Sequence, residues 1–151
     1  MHILTEIIKE DMKPALGVTE PGAIAFAVAK AKSYITEEIE KVKVRLNSGI
    51  YKNAFTCGIP NSDEVGNLFA AALGVVAGKA DRGLESLEDV TKEDNKKAQK
   101  LIDEGKIKVE LNRISSDIFI EVEIITQKEN SIVRIEGTHT NLSLIHISEP
   151  T

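Results

Sequence analysis

The stretch Lys41-Val-Lys-Val-Arg-Leu-Asn47 decides the class of fold. Its charged and apolar residues alternate strictly, which is typical of a β-strand with one face in solvent and the other in the core. A similar stretch, Lys106-Ile-Lys-Val-Glu-Leu-Asn112, follows later in the chain. Two amphipathic strands with outward lysines would look alike by chance, and chance is the interpretation we favour over an internal repeat.

The last third of the chain predicts a small antiparallel sheet. Lys106–Asn112 alternates with Ile107, Val109 and Leu111 inward, and the stretches 118–126 and 132–136 alternate in the same way around a polar turn. Helical periodicity marks the segments 19–31, 65–76 and 91–105, with glycines at 74 and 78 as close-packing or stop positions and a glycine stop at 105. The class is therefore α+β, with helices packed on a mainly antiparallel sheet.

Composition sets the broad class of protein. The chain has 151 residues, a formal charge of −5, 42% hydrophobic residues and no tryptophan, which predicts one globular domain with an aliphatic core. The net acidity makes a general nucleic-acid-binding role a poor expectation. No secretory signal or spanning segment is visible, so we expect a cytoplasmic protein. Cys57 is the single cysteine, so no internal disulfide and no metal ligand set is predicted within this chain.

Three polar stretches could carry chemistry. Lys13–Pro21 enters a helix start, where free backbone N–H groups suit a carboxylate or phosphate. Plain capping also explains Thr19, Glu20 and Pro21, and from composition alone it is the interpretation we favour. Lys52 and Asn53 could hold a substrate by charge and hydrogen bonds, or belong to a surface loop rich in Gly and Asn.

The third polar stretch is 137–141. His139 is the candidate catalytic residue, because a histidine at a strand end could move protons near neutral pH. Thr140 and Asn141 flank it as candidate substrate contacts, while an ordinary turn whose side chains bond the backbone is the alternative. None of the three stretches is specific alone.

Taken together and in order, the motifs resemble the L-cysteine desulfidase family of the iron–sulfur-dependent L-serine dehydratase α-chain group. The resemblance covers about residues 5 to 142. That family has a cysteine where this chain has Val18. The stretches that carry it are Lys13–Pro21, Lys52-Asn53, Gly58-Ile59-Pro60, Glu64-Val65-Gly66, Ala70–Gly74, Gly83-Leu84-Glu85 and His139-Thr140-Asn141.

The resemblance implies a β-elimination lyase that converts a small amino acid, L-serine or L-cysteine, to pyruvate and ammonia. It implies a 4Fe–4S cluster in the full-length protein, with ligands absent from this chain, and substrate contacts from Thr19, Glu20, Lys52, Asn53, Thr140 and Asn141. The alternative is a non-catalytic module of the same family that binds an amino acid or a subunit. No nucleic acid or membrane partner is expected.

The resemblance also implies that the chain is the N-terminal part of a larger serine-dehydratase-α-like fold. Residues 1–141 are then the domain, inactive alone, and 142–151 are a tail that is not native, since Leu142–Thr151 resembles a translated adapter string found at the ends of unrelated sequences. An uncovered apolar face would leave the missing C-terminal half, or a second copy in a homo-oligomer, as its partner.

Overall fold

The computed structural model describes residues 19–54, 66–79, 81, 87, 90–137 and 142–148 of the chain. Four helices and five strands lie in these ranges. The helices are α1 (Thr19–Ser33), α2 (Ser48–Ala54), α3 (Asn67–Ala77) and α4 (Lys92–Asp103), and the strands are β1 (Lys41–Asn47), β2 (Ile107–Arg113), β3 (Phe119–Ile125), β4 (Asn130–Glu136) and β5 (Leu142–Ser148).

The strands form one mixed sheet with the order β2-β1-β3-β4-β5. Strand β1 pairs antiparallel with β3 and parallel with β2, so β2 is not part of an antiparallel meander with β3 as the sequence predicted. The alternation in β2 predicted which of its residues share a face, but it could not reveal which strand pairs with it. The connection from β1 to β2 carries α2, α3 and α4, as a parallel crossover requires.

The two similar stretches of sequence lie side by side in the sheet. Val42 pairs with Ile107, and the pairing continues in step to Leu46 with Leu111. Residues at matching positions of the two stretches are therefore direct neighbours across the ladder, and they point to the same face of the sheet.

One face of the sheet carries the core. Most apolar side chains of this face and of α1 and α3 are buried, which confirms both the α+β class and the aliphatic core. The largest of them are Ile24, Val28, Val42, Val44, Leu46, Leu73, Ile120, Val122, Ile124, Val133 and Ile135. The opposite side of the sheet, which we name the open face, carries charged residues of β1, β2, β3 and β4.

The structure confirms one local prediction and contradicts two others. Helix α4 begins at a capping box between Thr91 and Asp94, and Gly105 follows it with φ 73°, which confirms the predicted helix and its stop. The surface loop given as the alternative for Lys52 and Asn53 is wrong, since α2 (Ser48–Ala54) contains both residues. Leu111, expected to point inward with Ile107, is 49% exposed because β2 is at the edge of the sheet.

Leu142–Ser148 forms strand β5, antiparallel to β4. Its alternating apolar residues therefore lie in a paired strand. That pairing does not test the prediction that 142–151 is not native. Nothing in the described fold supports the finer expectation of a serine-dehydratase-α-like architecture. None of the described helices combines the length and apolar character that crossing a membrane requires.

Candidate functional site at the upper edge of the sheet

Helices α1 and α3 pack closely side by side through two glycines, and both helices start at the same end of the sheet. A Cβ on Gly74 would lie 2.9 Å from the Ala25 carbonyl oxygen, and one on Gly78 would lie 2.9 Å from the Ala29 Cβ. The same four-residue step on both helices shows that they run in the same direction. Glycine is needed at both positions, since any side chain would force the backbones apart.

Hydrogen bonds identify which edge this is. Ser131 Oγ, at the start of β4, donates to the carbonyl oxygen of Ala31 near the end of α1, at 2.8 Å. The beginning of α1 therefore lies at the opposite edge, with the carboxyl ends of the parallel strands β1 and β2. We name this end of the sheet the upper edge, and the end that holds Ser131 the lower edge. Both names refer to the ends of the strands and not to the outermost strands β2 and β5. In α/β sheets, ligands commonly bind outside the carboxyl ends of strands.

The end of β1 is fixed by a buried asparagine. Asn47 is 1% exposed; its Nδ2 donates to the Ser115 carbonyl oxygen at 2.9 Å and its Oδ1 accepts from the Phe119 N–H at 3.1 Å. Ser48 Oγ also donates to the Ser115 carbonyl at 3.1 Å and accepts from the Ser115 N–H at 2.9 Å. With these partners, Asn47 holds the β2–β3 connection against the start of α2 and leaves no amide group for a ligand.

A second buried asparagine at this edge is different. Asn67, the first residue of α3, is 4% exposed, and its Nδ2 donates only at 3.4 Å, to the Tyr51 carbonyl oxygen in α2. Among the described residues, no donor reaches its Oδ1. A buried carboxamide oxygen without a donor is costly, so within the described part of the chain this group is one that a ligand or water could satisfy.

The first turn of α3 also lacks a side-chain cap. Its N-cap is Gly66, at φ 99°, which has no side chain to accept from the first N–H groups of the helix. These N–H groups carry the positive end of the helix dipole. The upper edge thus combines two helix starts with one buried carboxamide, that of Asn67, whose oxygen has no donor among the described residues.

The sequence-predicted site residues fall at or beside this edge where the structure describes them. The backbones of Thr19 and Glu20 form the first turn of α1, and Lys52 and Asn53 lie in the last turn of α2. The Lys52 side chain is exposed. The helix starts expected to serve as backbone donors are therefore present, but on two helices rather than one.

His139, Thr140 and Asn141 lie outside the described residues. The residues that bound their segment are Gly137, at φ 80°, and Leu142, which pairs with Ile135 at the upper end of β4. Both of these described residues lie at the upper edge. Cys57 is also outside the described part of the chain, and so are the residues around Val18.

The open face carries a charge network that sequence reasoning missed. The Arg45 guanidinium contacts Glu121 at 2.9 Å and Glu123 at 3.1 Å, and Arg134 contacts Glu121 at 2.6 Å. Partial burial lowers the pKa of Arg45, but hydrogen bonds to Glu123 and Glu121 outweigh it and raise that pKa above its ordinary value. The alternation of charged residues along β1 and β3 was the available signal. These groups neutralise one another, so the network is structural.

Sequence reasoning also missed Asn67. The signal was present, because it is the one polar residue at the start of an otherwise apolar helix, Asn-Leu-Phe-Ala-Ala-Ala-Leu-Gly-Val-Val-Ala. Helix-capping residues are common, which is why this asparagine did not stand out. Only the structure shows that it is buried and that its Oδ1 has no described donor.

The chain resembles the UPF0597 proteins. It is 39% identical over 140 residues to a UPF0597 protein of Caldanaerobacter subterraneus subsp. tengcongensis, which covers 93% of this chain and 33% of that protein. It is 40% identical over 143 residues to one of Clostridium tetani and 41% identical over 135 residues to one of Shewanella sp. strain MR-7, covering 34% and 32% of those proteins. The chain spans about a third of the length of these relatives. No family model matches it, and no solved structure does.

These matches correct the assignment made from sequence motifs. The relatives, which cover 93%, 95% and 89% of this chain, are UPF0597 proteins, and none of those named here bears a desulfidase or dehydratase name. The expected membership of the L-cysteine desulfidase and L-serine dehydratase α-chain family is therefore wrong, and so is the iron–sulfur lyase function that rested on it. The alternative of a non-catalytic module of that family fails with it. The 4Fe–4S cluster was implied only by that resemblance.

Within the described residues, no three His, Cys, Asp or Glu side chains are grouped so that they could hold a metal ion. The described groups at the upper edge include the first-turn N–H groups of two helices, the Asn67 Oδ1 and the cationic side chains of Lys52 and Arg113.

Proposed function

We propose that the upper edge binds a small carboxylate that also carries a hydrogen-bond donor, such as a hydroxyl group. The observation that carries the proposal is the buried Asn67 beside two helix starts. A carboxylate suits the first-turn N–H groups of α1 and α3, and a ligand donor suits the Asn67 Oδ1.

Two cations at the same edge favour an anionic ligand, although the carboxylates of Asp117 and Glu136 also lie there. Lys52 is exposed on the last turn of α2, and Arg113 ends β2 with its guanidinium 4.2 Å from the Phe119 ring centre. Both cations would favour the approach of a carboxylate without needing to touch it. Thr19, Glu20 and Asn53 remain proposed contributors because their backbones lie at this edge. His139, Thr140 and Asn141 remain proposed contributors from the sequence alone.

The test is a titration of the isotopically labelled chain followed by its backbone amide signals. Glycolate, which carries a carboxylate and a hydroxyl, is compared with acetate, which carries only the carboxylate. We expect glycolate to bind about tenfold more tightly, which is the effect of one additional hydrogen bond of about 1.4 kcal/mol. The shifted signals should be those of the first turns of α1 and α3.

Two variants make the test specific. Asn67→Leu should abolish the preference for glycolate while weak acetate binding persists. Lys52→Met should weaken both ligands, and Lys128→Met, which removes an exposed lysine at the lower edge, should change neither. Signals that stay unmoved at the two helix starts, or a glycolate preference that survives in Asn67→Leu, would refute the proposal.

A further inference from the structure

Among the described strands, β2 is an edge strand. Its side away from β1, which we name the free side, presents the backbone N–H and C=O groups of three residues. The Val42 N–H donates to the Lys106 carbonyl oxygen at 2.8 Å, so Lys106 points its backbone groups toward β1. Because backbone direction alternates along a strand, Ile107, Val109 and Leu111 point their N–H and C=O groups the other way. On that side, no described strand pairs with β2.

The free side of β2 is also where apolar side chains are exposed. Leu111 is 49% exposed and Ile114, just after the strand, is 89% exposed. Edge strands with free backbone groups and apolar side chains are templates for pairing with another chain, and stable proteins usually cover or disrupt them. The question is which strand fits.

We propose that β2 pairs antiparallel with β2 of a second copy of this chain, in the register centred on Val109. In this register Val109 faces Val109 of the second copy, and Ile107 faces Leu111. The three residues whose N–H and C=O groups point away from β1 then meet as hydrogen-bonded pairs. This gives six backbone hydrogen bonds across the interface. Each exposed Leu111 packs beside Ile107 of the other chain on the apolar face.

The charges of β2 select this register over its neighbours. Lys108 and Glu110 lie on the open face, with Nζ and Oε1 3.0 Å apart. Centring on Val109 places Lys108 of each chain directly opposite Glu110 of the other, so that two such pairs form a four-charge cluster. Centring on Lys108 or on Glu110 would place like charges opposite each other, which is destabilising.

The resulting dimer is isologous, and it joins the two five-stranded sheets into one continuous sheet. The two-fold axis passes through Val109. The proposal is independent of the carboxylate site, because it uses only the free side of β2.

The decisive test uses two charge reversals that complement each other. Lys108→Glu places two carboxylates opposite one another in its own dimer, and Glu110→Lys places two ammonium groups opposite one another. By sedimentation analysis, each variant alone should raise the dimer dissociation constant about tenfold or more relative to the unmodified chain. An equimolar mixture of the two should form a dimer again, because opposite charges face each other in the heterodimer.

Lys128→Glu is the matched control, since it makes the same charge change at the β3–β4 turn, and it should dimerise like the unmodified chain. In the dimer, hydrogen exchange should slow at the amides of Ile107, Val109 and Leu111. A chain that is monomeric across a wide concentration range, or variants whose mixture does not associate, would overturn the proposal. Dimerisation without protection of these three amides would also overturn it, because another surface would then be the interface.

Discussion

The two edges of the sheet both bury polar groups, but they use them differently. At the lower edge, Ser131 is fully buried and bonded to Ala31, and the Thr126 hydroxyl accepts from the Glu129 N–H at 2.9 Å and donates to the Glu129 carbonyl oxygen at 3.0 Å. At the upper edge, Asn47 is satisfied in the same way, whereas the Oδ1 of Asn67 meets no described donor. Buried groups that bond one another hold a fold together, while one that lacks a partner marks a place where a ligand can add a bond.

The largest expected effect comes from separating the two helix starts. Gly74→Val would drive a branched side chain into the Ala25 backbone and the Val28 side chain, both already within 3.0 Å of a single Cβ. We expect a loss of about 3 kcal/mol in the free energy of unfolding, measured by urea denaturation. Glycolate binding should also be lost under conditions where the variant is folded, because the upper edge depends on this contact.

The control for that variant is Gly105→Ala. Nothing lies within 4 Å of a Cβ at position 105, but its φ of 73° disfavours any side chain. The expected loss is about 1 kcal/mol, with ligand binding retained. Equal losses for the two glycines would contradict the close approach of α1 and α3.

The packing of α1 on α3 also shows how far sequence reasoning reached. Periodicity predicted both helices, and alternation predicted which face of β1 is buried, because local patterns report burial directly. For Gly74 and Gly78 the sequence left close packing and a helix stop as alternatives. The order of strands did not follow, because alternation describes the two faces of a strand and says nothing about its neighbours. The parallel pairing of β1 with β2 is a long-range contact of this kind.

The family assignment was wrong for a related physical reason. Most of the quoted motifs consist of Gly, Pro, Asn, Thr and small apolar residues at helix starts and turns. Chains use these residues there whatever their function, because caps and turns require them. The order of such motifs is therefore weak evidence for membership of one family. Asn67, whose burial is a property of the folded chain, could not be recognised from its residue type.

The second prediction compares the two asparagines of the upper edge directly. Asn47→Leu would leave the buried Phe119 N–H and the Ser115 carbonyl without their partner, so the free energy of unfolding should fall by about 2 kcal/mol. Asn67→Leu loses only one long hydrogen bond, and stability should stay within about 0.5 kcal/mol of the original or rise. Both are measured by urea denaturation. A larger loss for Asn67→Leu would mean that Asn67 is structural.

The smallest effect tests the lower edge through pH. Glu129 Oε1 accepts from the Thr36 N–H at 2.7 Å and from the Glu37 N–H at 3.1 Å, which ties the α1–β1 loop to the β3–β4 turn. The backbone hydrogen bond from Thr36 lowers the pKa of Glu129 below its ordinary value. A carboxyl whose pKa is lower in the folded state stabilises the protein above its unfolded pKa, and that contribution is lost as the pH falls through the folded value.

Glu129→Gln should therefore flatten the decline in unfolding free energy between about pH 5 and pH 3, compared with the unmodified chain. The matched control is Glu38→Gln, which removes another carboxyl from the same loop and leaves the hydrogen bonds of Glu129 in place. Neither variant should change glycolate binding, because both lie at the edge whose buried polar groups already bond one another. An unchanged slope in Glu129→Gln would show that this carboxylate does not hold the lower edge, and the contrast between the two edges would then rest on Ser131 and Thr126 alone.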